Sequence, residues 1–156
     1  MKKDWVQKLH DSKDLPRVEP ITKKMSKLWG SGTLVIPAPI EVDAFMKRVP
    51  HGRLTTIQEI REALAKKHHA TIACPLTTGI FAWIAAYASE QTKHEGKTDT
   101  TPYWRTLKAG GQLNEKYPGG IEPQKKLLEK EGHTVVMKGN RAFVQQFEQS
   151  LAHLTP

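Results

Sequence analysis

Thr55-Thr56-Ile57-Gln58-Glu59-Ile60-Arg61-Glu62-Ala63-Leu64 opens the stretch that decides the fold, and Pro75-Leu76-Thr77-Thr78-Gly79-Ile80-Phe81-Ala82-Trp83-Ile84 follows ten residues later. Ile57, Ile60, Ala63 and Leu64 recur at helical spacing, while Gln58, Arg61, Glu62 and Lys66 face water. Thr56 with Glu59 fits a capping box, so a helix is expected over about 56–66. It fades at His68-His69, whose charge suits a helix C-terminus. Pro75 suits the first turn of a second helix, expected to reach about Glu90. Two helices joined by a short linker form either a helix-turn-helix or an ordinary helical hairpin. The second helix is apolar on every side, which is unusual for a groove reader.

Outward from this pair, Glu41–Arg48 reads as a short helix, broken by Pro50-His51-Gly52. Gln91–Thr101 and Leu107–Gly120 read as loops, the latter turning at Gly110-Gly111 and Gly119-Gly120. Pro123–Glu131 reads as a helix stopped by Gly132. His133–Lys138 reads as a short strand, Gly139-Asn140 as a turn, and Arg141–Leu154 as a final amphipathic helix with Phe143, Phe147, Leu151 and Leu154 on its core face. Residues 1–38 carry eight basic and four acidic side chains, interrupted by Pro16 and Pro20. They read as a basic N-terminal arm that docks on the domain 39–156 or moves; Trp5, Val6 and Leu9 form one apolar face and Met25, Leu28 and Trp29 another. The expected fold is mainly α: a compact, winged-helix-like helical domain with a helix-turn-helix and at most a small β element.

With 24 basic and 16 acidic residues, the 156-residue chain carries a net charge of +8, which favours a polyanionic partner. Its single cysteine, Cys74, excludes an intrachain disulfide and fits a reducing cytoplasm. The first fifteen residues lack the apolar core of a secretory signal. No apolar run approaches the ~20 residues that cross a bilayer. The seven histidines show no metal-binding spacing with carboxylates, so neither metal nor cofactor is expected.

Four further motifs stand in order: Pro50-His51-Gly52-Arg53-Leu54-Thr55, Pro102-Tyr103-Trp104-Arg105, Tyr117-Pro118-Gly119-Gly120 and Leu127-Leu128-Glu129-Lys130-Glu131-Gly132. Each alone is weak. Their joint order resembles the DNA-binding domain of the alkylguanine-DNA alkyltransferases over roughly Glu41–Gly132. That family flips a damaged guanine and takes its alkyl group onto the cysteine of a Pro-Cys-His-Arg motif. Here Tyr103 stands at the cysteine position and Trp104 at the histidine position. The resemblance is therefore nearest in kind to the alkyltransferase-like proteins, which lack the reactive cysteine, bind alkylated DNA and are thought to flag it for other repair machinery.

Alkyl transfer needs a thiolate held by a basic neighbour. A phenol with an ordinary pKa of about 10 is a poor nucleophile at neutral pH. The indole nitrogen of Trp104 is a donor only and relays no proton. The resemblance thus implies a non-catalytic monomer that binds double-stranded DNA and hands it to a repair partner. It implies a base pocket of Tyr103, Trp104, Arg105, Tyr117, Gly119, Gly120 and Glu131. It places Arg53, Thr55, Thr56, Leu76, Thr77, Thr78 and Lys108 on the DNA side, with Lys66, Lys67, Lys116, Lys125 and Lys126 as further phosphate contacts. The family's nucleotide-rotating tyrosine aligns with Ile57, and its arginine finger falls near Leu76 or Thr77; a leucine can also wedge between bases.

Tyr103 and Trp104 fit either a stacking platform for a base or a plug that fills the old pocket. Arg105 fits a motif arginine or an internal ion pair with Glu131. Cys74 fits a small core residue, or a relocated acceptor thiol in an enzyme with a remodelled pocket. A protein-interaction module on the same scaffold is the remaining alternative.

Overall fold

The computed structural model describes residues 3–156. Six α-helices and several short strands are present among the described residues, so the chain is mainly α with small β elements. The helices are α1 (Trp5–His10), α2 (Lys23–Trp29), α3 (Pro39–Lys47), α4 (Ile57–Lys67), α5 (Pro75–His94) and α6 (Ile121–Lys130). The strands are β1 (Arg17–Pro20), β2 (Thr33–Ile36), β3 (Thr55–Thr56), β4 (Ile72–Ala73), β5 (Thr106–Leu107), β6 (Val135–Lys138) and β7 (Arg141–Val144).

Helix α5 is the axis of the larger core. Its buried face is made of small side chains, Ala82, Ala85, Ala86, Ala88 and Ser89. Such a face lets α1, α3 and α4 approach closely, and Val42, Phe45, Met46, Ile60 and Leu64 fill the space between them. Thr56 caps α4 as its sequence requires, accepting from the Glu59 amide at 3.3 Å. Pro75 opens α5, where a missing amide hydrogen costs nothing. A second core lies under α6, with Leu54, Leu107, Leu113, Leu128, Ala142 and Val144.

The N-terminal residues join this framework at two places. Trp5 stacks on Tyr87 of α5 at 4.7 Å and meets Trp83 edge-on at 5.9 Å. Strand β2 pairs antiparallel with β1 and parallel with β4, so the segment between α4 and α5 completes a three-stranded sheet. Strands β3 and β5 form a second, parallel pair, which brings the starts of α4 and of the 106–120 loop side by side.

Three elements differ from the sequence reading. Helix α5 continues to His94, through four residues expected to be loop, because Gln91 is held there by the Trp5 amide and Asp4. Strands β1 and β2 lie where only helical faces and breaks were expected. The expected helix over 141–154 is instead strand β7 followed by a 3-10 turn, Phe147–Ser150. Phe143, Phe147 and Leu151 do share a helical spacing, but Ala142 and Val144 are the buried residues of this segment, an alternation of period two. Pairing with β6 across the Gly139-Asn140 turn outweighs the helical pattern. Close approach adds to this: a Cβ on Gly111 would lie 2.5 Å from the Phe147 ring, which packs over it.

Leu113→Ala is expected to cost about 2–5 kcal/mol, read as a lower urea midpoint, because Leu113 is wholly buried. Leu28→Ala, at a position 83% exposed, is expected to stay within about 0.5 kcal/mol of the parent.

Candidate nucleic-acid interface

Three of the four ordered motifs converge on one carboxylate. Glu131 ends α6, and its side chain is 6% exposed. Its Oε1 accepts from the Gly52 amide at 3.0 Å and from Arg105 Nε at 3.0 Å. Its Oε2 accepts from Trp104 Nε1 at 2.7 Å and from Arg105 Nη2 at 2.9 Å. Arg105 Nη1 donates onward to the Val49 carbonyl at 2.8 Å. Burial pushes the Glu131 pKa up, but Arg105, the Gly52 amide and the Trp104 indole together outweigh it and hold the group below the usual carboxylate range.

Behind this cluster lie two stacked-in phenols. Tyr103 is 2% and Tyr117 1% exposed, and their rings meet edge to face at 5.3 Å. Trp104 packs edge-on against Tyr103 at 5.5 Å. Tyr117 donates to the Thr106 carbonyl at 2.9 Å, and Tyr103 reaches Glu90 at 3.4 Å. Burial, then the Glu90 carboxylate, drives the Tyr103 pKa well above its ordinary value, and burial does the same to Tyr117. Neither phenol supplies a nucleophilic phenolate near neutral pH. Gln124, wholly buried, ties the loops together by accepting from the Asn114 amide at 2.8 Å and donating to the Trp104 carbonyl at 3.2 Å. Gly119 and Gly120 both have φ near +77°, and a Cβ on Gly119 would come 2.7 Å from Pro123.

The residues expected on the DNA side divide into two groups. Leu76 is 71% exposed, and Arg53 and Lys108 are near the surface, where Arg53 Nη2 donates to the Leu151 carbonyl and Lys108 pairs with Glu115 at 3.2 Å. Thr55, Thr56 and Thr78 are buried, and Thr77 is half-buried with its hydroxyl unpartnered. Thr56 caps α4, and Thr78 donates to the Cys74 carbonyl. Cys74 is 9% exposed at the start of α5. No cluster of potential metal ligands is present among the described residues, and no described helix is long and apolar enough to cross a membrane.

The sequence reading missed an open cleft of about 580 Å³ between α4, α5 and the 108–116 loop. Its wall on α5 is Leu76, Gly79, Ile80 and Trp83; Ile57 closes the α4 side, and Gln58, Arg61, Lys108, Asn114, Glu115 and Lys116 supply the polar rim. Arg61 is held in place by donating to the Ala73 carbonyl at 3.0 Å and to Gln58 at 3.2 Å. The signal was present: 76, 80 and 83 follow the i, i+4, i+7 spacing of one helix face. It was hidden because residues 80–87 are apolar on every side.

No protein-family model matches the chain, and no curated protein matches it in sequence. Solved structures do match. One is S. pombe Atl1 in complex with damaged DNA containing O6-carboxymethylguanine, at TM-score 0.50 and 17% identity. Another is S. pombe ATL in complex with DNA, at TM-score 0.54 and 16% identity. Each alignment covers 73% of this chain and 93% of the other. The fold is similar to that of Atl1. At this identity the likeness is one of fold, and it agrees with the resemblance carried by the ordered motifs.

Glu131→Gln is expected to destabilise the protein by about 3–5 kcal/mol at neutral pH, because it leaves Arg105 without its charge partner. A carboxylate with a depressed folded pKa contributes fully above its unfolded value of about 4.3, and that contribution is lost as pH falls through the folded pKa. The stability difference between parent and variant should therefore stay constant from about pH 5 to 7 and shrink only as the pH falls below the unfolded value of about 4.3.

Proposed function

We propose that this chain is a non-catalytic DNA-binding protein that recognises duplex DNA carrying a modified guanine and presents it to a repair partner. The observation that carries the reading is the apolar cleft at the opening turns of α5, whose rim holds Arg61 and Lys116 beside the Lys108–Glu115 ion pair and so keeps a cationic surplus. Flat apolar walls with a few polar groups suit a planar base and an apolar substituent on it, and the cationic rim suits the flanking phosphates. The solved neighbours of this fold hold DNA, and one of them holds damaged DNA. The net charge of +8 points the same way.

In this reading α4, the 68–74 connection and α5 act as a helix-turn-helix, with the start of α5 against a groove. Leu76 is the wedge: an exposed apolar side chain at a helix start can separate neighbouring stacked bases where a charged finger would otherwise fill the gap. The chemistry of the motif supports a non-catalytic role. Tyr103 at the nucleophile position is buried, with its phenol pKa raised. Trp104 donates its one hydrogen to Glu131 and has no lone pair with which to accept a proton. Cys74 is buried at the root of α5, away from a free approach.

Fluorescence anisotropy with two matched duplexes, one plain and one carrying O6-methylguanine, tests the reading at several salt concentrations. Tighter binding of the modified duplex is expected. Leu76→Ala should weaken that binding about tenfold, or about 1.4 kcal/mol, without lowering stability. Equal affinity for both duplexes would refute recognition of the modified base. An alkyl adduct on Cys74, found by mass spectrometry after incubation, would refute the non-catalytic reading.

A further inference from the structure

The hairpin β6–β7 ends in Lys138-Gly139-Asn140-Arg141, and all four residues are exposed. Lys138 and Arg141 are direct cross-strand partners. Side chains so placed project from one face of the hairpin, and like charges directly opposite one another oppose pairing. Neither cation has an ion-pair partner among the described residues. Lys138 Nζ instead lies 5.4 Å over the Phe143 ring. Two unneutralised cations therefore share the exposed tip of the C-terminal hairpin, where two neutral side chains would favour the pairing more.

The hairpin is also tied to the cleft. The Leu113 amide donates to the Ala142 carbonyl at 2.9 Å, and Gln112 bridges to Phe143, so the 108–116 loop forms a further rung beside β7. Asn140 and Arg141 line a groove of about 410 Å³ with Lys108, Gln112, Glu115 and Ile121. Lys108 and Glu115 line both this groove and the apolar cleft, so the two are continuous through this ion pair. Glu115 is the acid of the groove, and Lys108 already pairs with it. Arg141 is left as the uncompensated charge.

We infer that this hairpin is a second DNA-contacting element, which lays Lys138 and Arg141 against backbone phosphates of the duplex held at the cleft. The inference rests on the DNA-binding reading above. Phosphate oxygens would relieve the repulsion between the paired cations, and the tight Gly139-Asn140 turn keeps the tip narrow. Phosphate contacts position a duplex without reading its bases. The hairpin thus adds affinity and register, while the cleft discriminates.

The test compares the intact chain with Lys138→Gln/Arg141→Gln in the same anisotropy series, on plain and modified duplexes. Each lost phosphate contact lowers the slope of log K against log salt by about one. The double variant should therefore lose about two from the slope, equally on both duplexes, with its melting temperature unchanged or raised. Lys138→Arg/Arg141→Lys, which keeps both charges, should retain the parent slope. A double variant with the parent slope would overturn the hairpin contact and leave the DNA-binding reading standing. Weakening confined to the modified duplex would also overturn it, because a phosphate contact cannot produce that. Absence of binding by the intact chain to either duplex would overturn both.

Discussion

The carboxylate of Glu131 is the point on which the site depends. Four donors reach it from two stretches of chain: the Gly52 amide from one, the Trp104 indole and two nitrogens of Arg105 from the other. An ionised carboxylate offers about four acceptor positions, and a buried one must have them filled. All are filled here, by groups that remain protonated at neutral pH. Glu131 is therefore a structural anchor and not a proton acceptor. It fixes the 49–52 turn, the 103–105 turn and the end of α6 relative to one another. Those three segments hold the start of α4 and the loop that walls the cleft, so the cleft keeps its shape only while this carboxylate is charged and saturated.

The same cluster holds the aromatic pair Tyr103 and Trp104 in place. A histidine and an indole both offer a ring N–H to a carboxylate, so Trp104 keeps the hydrogen bond to Glu131 while removing any basic nitrogen. Tyr103 is larger than a cysteine, and its ring fills the interior against Tyr117. The open volume lies on the other side of the 108–116 loop, between α4 and α5. Aromatic side chains thus fill the interior behind the motif, and an apolar cleft stands open beside it.

Much of this was legible in the chain. Helix α4 was marked by Thr56 and Glu59, α5 by Pro75, and the Arg105–Glu131 pair by the buried charges that the motif order implied. These signals are local, or they come from residue types with few ways to be satisfied. The roles of Thr55 and Thr78 were not legible, because a threonine reads alike as a surface contact and as a buried residue; both are wholly buried. The sheet of β1, β2 and β4 was hidden as well. Its strands are two to four residues long and come from distant stretches of the chain, so no window of sequence contains the pattern. The C-terminal hairpin was hidden by a coincidence of phase, since Phe143, Phe147 and Leu151 satisfy a helical spacing while Ala142 and Val144 carry the burial.

Leu76 shows what local stability does not account for. A leucine 71% exposed on the first turn of α5 gains nothing from burial, and it stands beside Ile80 and Trp83 on one continuous apolar wall. Single exposed apolar residues are ordinary, but an apolar wall beside a cationic rim marks a surface shaped for a ligand. The hairpin tip is a parallel case with charge in place of apolar area, because Lys138 opposite Arg141 is a pairing that folding alone disfavours. Both departures border the same 108–116 loop, one on each side of Lys108. Two locally unfavourable features on either side of one lysine are most simply explained by one partner that is apolar and planar at one end and anionic along its length. Under the proposed reading, a duplex with an unstacked base is the partner with that chemistry.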